Sequence, residues 1–145
     1  MLATTHRFAD AMKRAQLALQ HQLRELEQLV APHAADHLPD VRIRLKAVLS
    51  LVKEHFRIEE QDGYMNAVKE QDQRFESELQ CFRDEHRAMR RELEFLVDEA
   101  DSLQQIDAEF SESVHGWIDR FRMHEKNEID LVQEAFDVDV GGEGG

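Results

Sequence analysis

The chain predicts an all-α fold, an up-down-up-down antiparallel four-helix bundle. Apolar residues recur at steps of three and four along four long stretches. Hydrophobic residues make up 41% and charged residues 34%, with two prolines and six glycines, a balance that favours helix. The joints between stretches are short, and short joints make long consecutive helices antiparallel neighbours.

The first stretch runs from about Thr5 to Val30, with Phe8, Met12, Ala15, Leu19, Leu23, Leu26 and Val30 on its stripe. Thr4 or Thr5 is suited to cap it, and Pro32, within a loop-like Ala31 to Pro39, ends it. The second stretch starts near Asp40, an N-cap residue type, and aligns Val41, Leu45, Val48, Val52, Phe56 and Glu59. It is expected to fade beyond Gly63, between Lys69 and Gln73. The third carries Phe75, Leu79, Phe82, His86, Met89, Leu93, Leu96 and Ala100, and stops near Ser102. The fourth carries Phe110, Val114, Trp117, Phe121, His124, Glu128, Leu131 and Ala135, with Asp107 or Ser111 as cap. The bundle is expected over residues 1–137. The acidic, glycine-rich residues 138–145 are expected to be a disordered tail.

A chain of 145 residues is sized for one domain with one core. Its net charge of −13 argues against nucleic acid and anionic membrane as partners, because both require a basic footprint. Cys81 is the single cysteine, so no disulfide forms within the chain, and a cytoplasmic setting is expected. No stretch resembles a signal peptide or approaches the ~18 apolar residues of a membrane span. Oligomeric state is not encoded in any pattern the chain shows.

Two copies of His-x-x-x-Glu stand on these helices, His55 to Glu59 and His124 to Glu128. Residues four apart on a helix share one face, so each copy presents an imidazole and a carboxylate together. The levels agree across the bundle. At ~1.5 Å rise per residue, His55 lies about 15 residues before the second joint and His86 about 12 to 14 after it. By the same measure His86 lies about 17 residues before the third joint and His124 about 18 after it. The angles agree as well. At roughly 100° per residue, His55 and Glu59 share the stripe of Val48, Val52 and Phe56. His86 shares that of Phe82, Met89 and Leu93, and His124 and Glu128 share that of Trp117, Phe121 and Leu131.

A lone histidine on an apolar stripe is usually a satisfied core residue. Buried carboxylates are costly unless paired, and two of them among three imidazoles are most economically explained as ligands of a shared cation. His115 falls on the far side of the fourth helix. His33 and His37 sit in the first joint, and His6 is near the terminus, so none of these four joins the set. A ferritin-like centre is disfavoured, since the single Glu-x-x-His, Glu112 to His115, faces outward. A zinc protease is excluded by the lack of His-Glu-x-x-His.

These motifs resemble the hemerythrin-like proteins, in the branch described as the HHE cation-binding domain, over nearly the whole chain. His55-Phe-Arg-Ile-Glu59-Glu60 looks like that family's second-helix motif, Asp84-Glu85-His86 like the entry to its third, and Phe121-Arg-Met-His124-Glu-Lys-Asn-Glu128 like its fourth. The resemblance implies two non-haem iron ions, oxo- or hydroxo-bridged. It implies histidine ligands from all four helices, His21, His55, His86 and His124, with Glu59 and Glu128 bridging. It also implies a small diatomic or peroxide ligand, bound or sensed, or a role in handling iron. Two departures stand out. The position one turn after His86, a second histidine in the oxygen carriers, is Arg90, which leaves a coordination position open unless Arg90 simply turns out to Glu94. His21 is near the right level but points away from the stripe of Phe8, Ala15, Leu19 and Leu26. Its spacing argues for a ligand and its periodicity for solvent. Tyr64, two turns beyond Glu59, reads either as a donor to the ligands or as an ordinary core tyrosine. Two other functions compete: a di-iron redox enzyme reducing peroxide or acting as an oxidase, and a metal-free helical interaction module in which the buried His and Glu pair with one another.

Overall fold

The computed structural model describes residues 2–31, 37–61 and 63–136, with side chains from Asp10 onward. The side chains of His6 and Phe8, and all of Pro32, His33 and the tail, lie outside that description; the first helix already begins at Leu2, ahead of the start expected at Thr4 or Thr5. The described residues are all helical or connecting: α1 Leu2–Leu29, α2 Leu38–Gln61, α3 Tyr64–Gln71, a single 3-10 turn at Gln73–Phe75, α4 Glu76–Ser102 and α5 Ala108–Phe136. The four long helices pack together, α1 against α2 and α5, and α4 against α2 and α5. No helix among the described residues is long and apolar enough to cross a membrane.

A second helix start departs from expectation, and other ends are fixed by side chains. α2 begins at Leu38, two residues before Asp40. Leu38 is buried, its neighbour Pro39 suits a first turn because that N–H needs no partner, and Asp40 instead places its charge beside the helix N-terminus. Asp107, of the two candidates, caps α5: its Oδ1 accepts from Phe110 N at 2.7 Å. Ser111 is buried and donates its hydroxyl to the Val30 carbonyl at 2.6 Å, satisfying an end of α1. The α4 terminus is held from outside, where Arg42 donates to the carbonyls of Ala100 at 2.8 Å and Leu103 at 2.7 Å.

The largest departure is α3. The second stretch does not fade; it stops at Gln61 and a separate helix starts at Tyr64. Gly63 makes this turn possible. A Cβ there would sit 2.8 Å from both Glu59 Cα and the Ile58 carbonyl oxygen, backbone atoms that cannot yield. The turn lays α3 against α2 and α5 and buries Tyr64, Met65 and Val68.

The core is in two apolar parts. One gathers Leu19, Leu23, Leu45, Val48, Val52, Phe56, Leu93, Trp117 and Phe121 among others, with the Trp117 indole donating to the Met89 carbonyl at 2.8 Å. The other gathers Met12, Tyr64, Met65, Val68, Leu79, Phe82 and Leu131. Glu59, His86, His124, Glu125 and Glu128 are buried as well. They lie where the two parts meet: Phe56 of the first stacks on His86 with ring centroids 3.9 Å apart, and Phe82 of the second meets His124 edge-on at 5.5 Å.

Candidate metal centre

Five of the six sequence-predicted residues are brought together. Glu59, His86, His124 and Glu128 each offer a ligand atom within 4.8 Å of one another, and all four are buried. His55 joins them from beside: His55, Glu59 and Glu125 form a second such group, so Glu59 belongs to both. The helices explain the convergence. Each tetrad lies on an apolar stripe, and burial of that stripe carries the polar pair inward with it.

His21 is the exception, and its helical phase is the reason. Its side chain is 64% exposed and pairs with Glu25 on its own helix at 3.3 Å. The buried stripe of α1 is Met12, Leu19, Leu23, Leu26 and Val30, while Ala15, placed on it from sequence, is exposed. The inward position between Met12 and Leu19 belongs to half-buried Gln16. At the level of the cluster α1 therefore presents an amide in place of an imidazole. Gln16 Nε2 donates to Glu125 Oε2 at 2.7 Å and to the Glu125 carbonyl at 3.2 Å.

Carboxylates back two of the rings. His86 Nδ1 lies 2.7 Å from Glu60 Oε2, and His124 Nδ1 lies 2.6 Å from Glu85 Oε1. A carboxylate accepts, so each Nδ1 carries the proton and donates it. Each Nε2 then faces the interior, the arrangement that orients a histidine ligand and raises its basicity. The partners come from neighbouring helices, Glu60 of α2 to a ring of α4 and Glu85 of α4 to a ring of α5. Both acids are visible in the sequence, but nothing in one helix's periodicity shows that it serves the next.

Inside, the polar atoms face one another without all forming hydrogen bonds. His86 Nε2 lies 3.1 Å from Glu128 Oε2 and 3.3 Å from Glu59 Oε1; His124 Nε2 lies 3.1 Å from Glu128 Oε1; His55 Nε2 lies 3.0 Å from Glu125 Oε1 and 3.3 Å from Glu59 Oε2. Both oxygens of Glu59, together with Glu128 Oε1 and His124 Nε2, nevertheless have no hydrogen-bond partner. Distance is met while direction is not. Glu59, His86, His124 and Glu128 are thus spaced closely enough to hold a metal ion without all being hydrogen-bonded to one another. Glu128 Oε2 is the satisfied oxygen, accepting from His86 and from the hydroxyl of buried Tyr64. Tyr64 is thus a donor to a cluster residue.

The electrostatics express the same crowding. Burial opposes charge on His55, but the hydrogen bond to Glu125 and the nearby Glu59 carboxylate prevail and push it up to about 11. His86, likewise buried, is raised to about 10 by Glu128 and Glu59, and His124 is raised by Glu128. Burial, with the repulsion of Glu128, lifts Glu59 to about 7. Glu128 is held below the ordinary carboxylate range, because the neighbouring His124 and His86 imidazoles outweigh its burial. Burial and the neighbouring carboxylates Glu128 and Glu59 raise Tyr64, so it stays a neutral donor.

Arg90 faces outward, half exposed, with Nε 3.7 Å from Glu94, the surface arrangement of the two considered. His115 is on the outer side against Glu27, and His37 precedes α2 beside Asp40. Two clefts of about 260 Å³ reach the cluster's rings, one at His86 between Phe56, Glu60 and Arg90, the other at His124 between Glu85, Met89 and Asn127. A wider groove of about 430 Å³ beside Phe95 and Gly116 lies away from it. No family model, curated protein or solved structure matches the chain.

Proposed function

We propose that this protein is a non-haem di-iron protein of the hemerythrin-like kind, an up-down-up-down bundle that binds or senses a small ligand such as oxygen, nitric oxide or peroxide, or handles iron. The direction of the helices is supported by contacts whose numbers run oppositely. Gln16, Gln20 and Val30 meet Glu125, Arg122 and Ser111; Arg42, Lys53 and Glu60 meet Leu103, Glu94 and His86; Glu85 and Glu92 meet His124 and Arg120.

The metal reading is carried by one observation: both oxygens of a buried glutamate, Glu59, lack a hydrogen-bond partner although Glu59 belongs to both groups of ligand-type atoms. An unsatisfied buried carboxylate is expensive, and a cation removes the cost. His86, His124, Glu59 and Glu128 would hold one ion, and His55 with Glu59 the next. Two imidazoles with carboxylates suit non-haem iron and leave positions open to an exogenous ligand. Arg90, turned away to Glu94, does not fill one. Bound iron would supply an open site for a diatomic or peroxide ligand. The chain's own part is to orient the rings through Glu60 and Glu85 and to keep water out with Phe56, Phe82 and Phe121.

The competing reading, a metal-free interaction module, draws on the close His–Glu approaches in the same cluster. It leaves the Glu59 oxygens unexplained. The two readings separate on iron content. Full-length protein loaded with ferrous iron without oxygen, then desalted and subjected to elemental analysis, should retain close to two irons per chain. A folded protein that retains none refutes the metal reading and leaves the interaction module.

A further inference from the structure

Glu125 stands apart from the residues that the tetrads pick out. It follows His124 directly and is 3% exposed. Four residues after Phe121 and three before Glu128, it lies on the buried stripe of α5. Here Gln16 of α1 binds its Oε2 at 2.7 Å and its carbonyl at 3.2 Å, which leaves Oε1 directed at His55 Nε2, 3.0 Å away. Glu59, whose own oxygens are unpartnered and 4% exposed as a residue, completes that group of three.

We infer that Glu125 is a ligand of the second ion, positioned by Gln16, and that this makes the two ion positions unequal. The inference rests on the metal reading above. The first position is built from two imidazoles and two carboxylates; the second from one imidazole and two carboxylates. Fewer nitrogens and proportionally more oxygens make the second position the harder one, suited to Mn²⁺ as well as to iron, and it has one protein ligand fewer. The first position therefore keeps iron, while the second exchanges and accepts manganese. α1 supplies no ligand of its own; its part is the Gln16 amide, which turns one oxygen of Glu125 outward and so aims the other inward.

Metal titration of the intact chain tests this. Wild type, loaded with two irons and then dialysed against excess Mn²⁺, should exchange one iron per chain for one manganese. Glu125→Gln, which keeps shape and removes the charge, should retain one iron and bind no manganese. Gln16→Leu should bind the first ion as wild type does and the second about 10- to 100-fold more weakly, the usual effect of losing a partner that orients a ligand. This variant leaves every cluster residue in place, so it decides the matter if Glu125→Gln does not fold. Two ions bound with unchanged affinity in Glu125→Gln or in Gln16→Leu overturn the inference, as does loss of both irons to manganese in wild type. Wild type that binds no ion at all overturns the metal reading itself and the inference with it.

Discussion

At the scale of single residues, the cluster separates the proposed ligands from the residues that hold them. Glu60 and Glu85 touch only the outer nitrogens of His86 and His124. Glu60→Gln and Glu85→Gln should each weaken iron binding about 10- to 100-fold while the fold is kept, as measured by competition with a chelator. Affinity equal to wild type would show that the rings are oriented by packing alone. His21→Ala should leave iron affinity unchanged and shift stability by less than about 0.5 kcal/mol, since the ring is exposed and paired only along its own helix. A drop in affinity comparable to that of Glu59→Ala would contradict the placement of α1. These residues also mark what was legible. His55, Glu59, His86, His124 and Glu128 could be found because each sits on a long apolar stripe whose phase is unambiguous. Glu125 shares the fourth stripe, four residues after Phe121 and three before Glu128, but the His-x-x-x-Glu spacing does not single it out, nor does it show the partner on another helix that fixes it. That partner, Gln16, is itself a polar residue on the stripe, and reading Ala15 as the inward position concealed it.

At the scale of the element, α3 was the part least legible. Eight residues carry too little periodicity to distinguish a new helix from a fading one. Gly63 was visible as a breaker, but its effect depends on how closely the chain passes α2, which is a tertiary fact. Gly63→Ala should be destabilising by about 1–3 kcal/mol, because the added methyl meets backbone atoms at 2.8 Å. It should also disturb the Tyr64 contact with Glu128, since Tyr64 is the next residue. Denaturant unfolding, with the absorption spectrum of the iron-loaded variant, reads both effects. Stability and spectrum unchanged from wild type would mean that the turn tolerates a side chain after all. The four long helices were legible because each repeats its pattern over six turns or more, and a repeat of that length outweighs local exceptions such as Leu38 and Pro39 at the start of α2.

At the scale of the whole molecule, the buried charges tie stability to pH and, on the proposed reading, to metal. His55, His86 and Glu59 hold protons more tightly folded than unfolded, with folded values near 11, 10 and 7 against ordinary values of 6.5 for histidine and 4.5 for glutamate. The stability from the two histidines is complete below about pH 6.5 and is lost as pH rises through 10 to 11. Glu59 acts in the same direction between 4.5 and about 7. Glu128, held below its ordinary value, acts oppositely, and its share is lost on acidification. The metal-free protein should therefore lose stability between pH 7 and 9. The iron-loaded protein, whose inner imidazole nitrogens face metal instead of a proton, should lose less. The gap between their melting temperatures should widen over that interval. A gap that stays constant would mean that the histidines do not change protonation when metal binds.

Those protons also make the central claim directly measurable. Calorimetric titration of metal-free protein with ferrous iron, without oxygen and in two buffers of different ionisation heat, reports stoichiometry and proton exchange together. A cluster that exchanges buried imidazolium protons for two cations predicts close to two ions per chain and a net release of protons at pH 7. Binding of no ion, or weak binding without proton release, would contradict it and leave the five buried residues as a self-paired layer in a helical bundle.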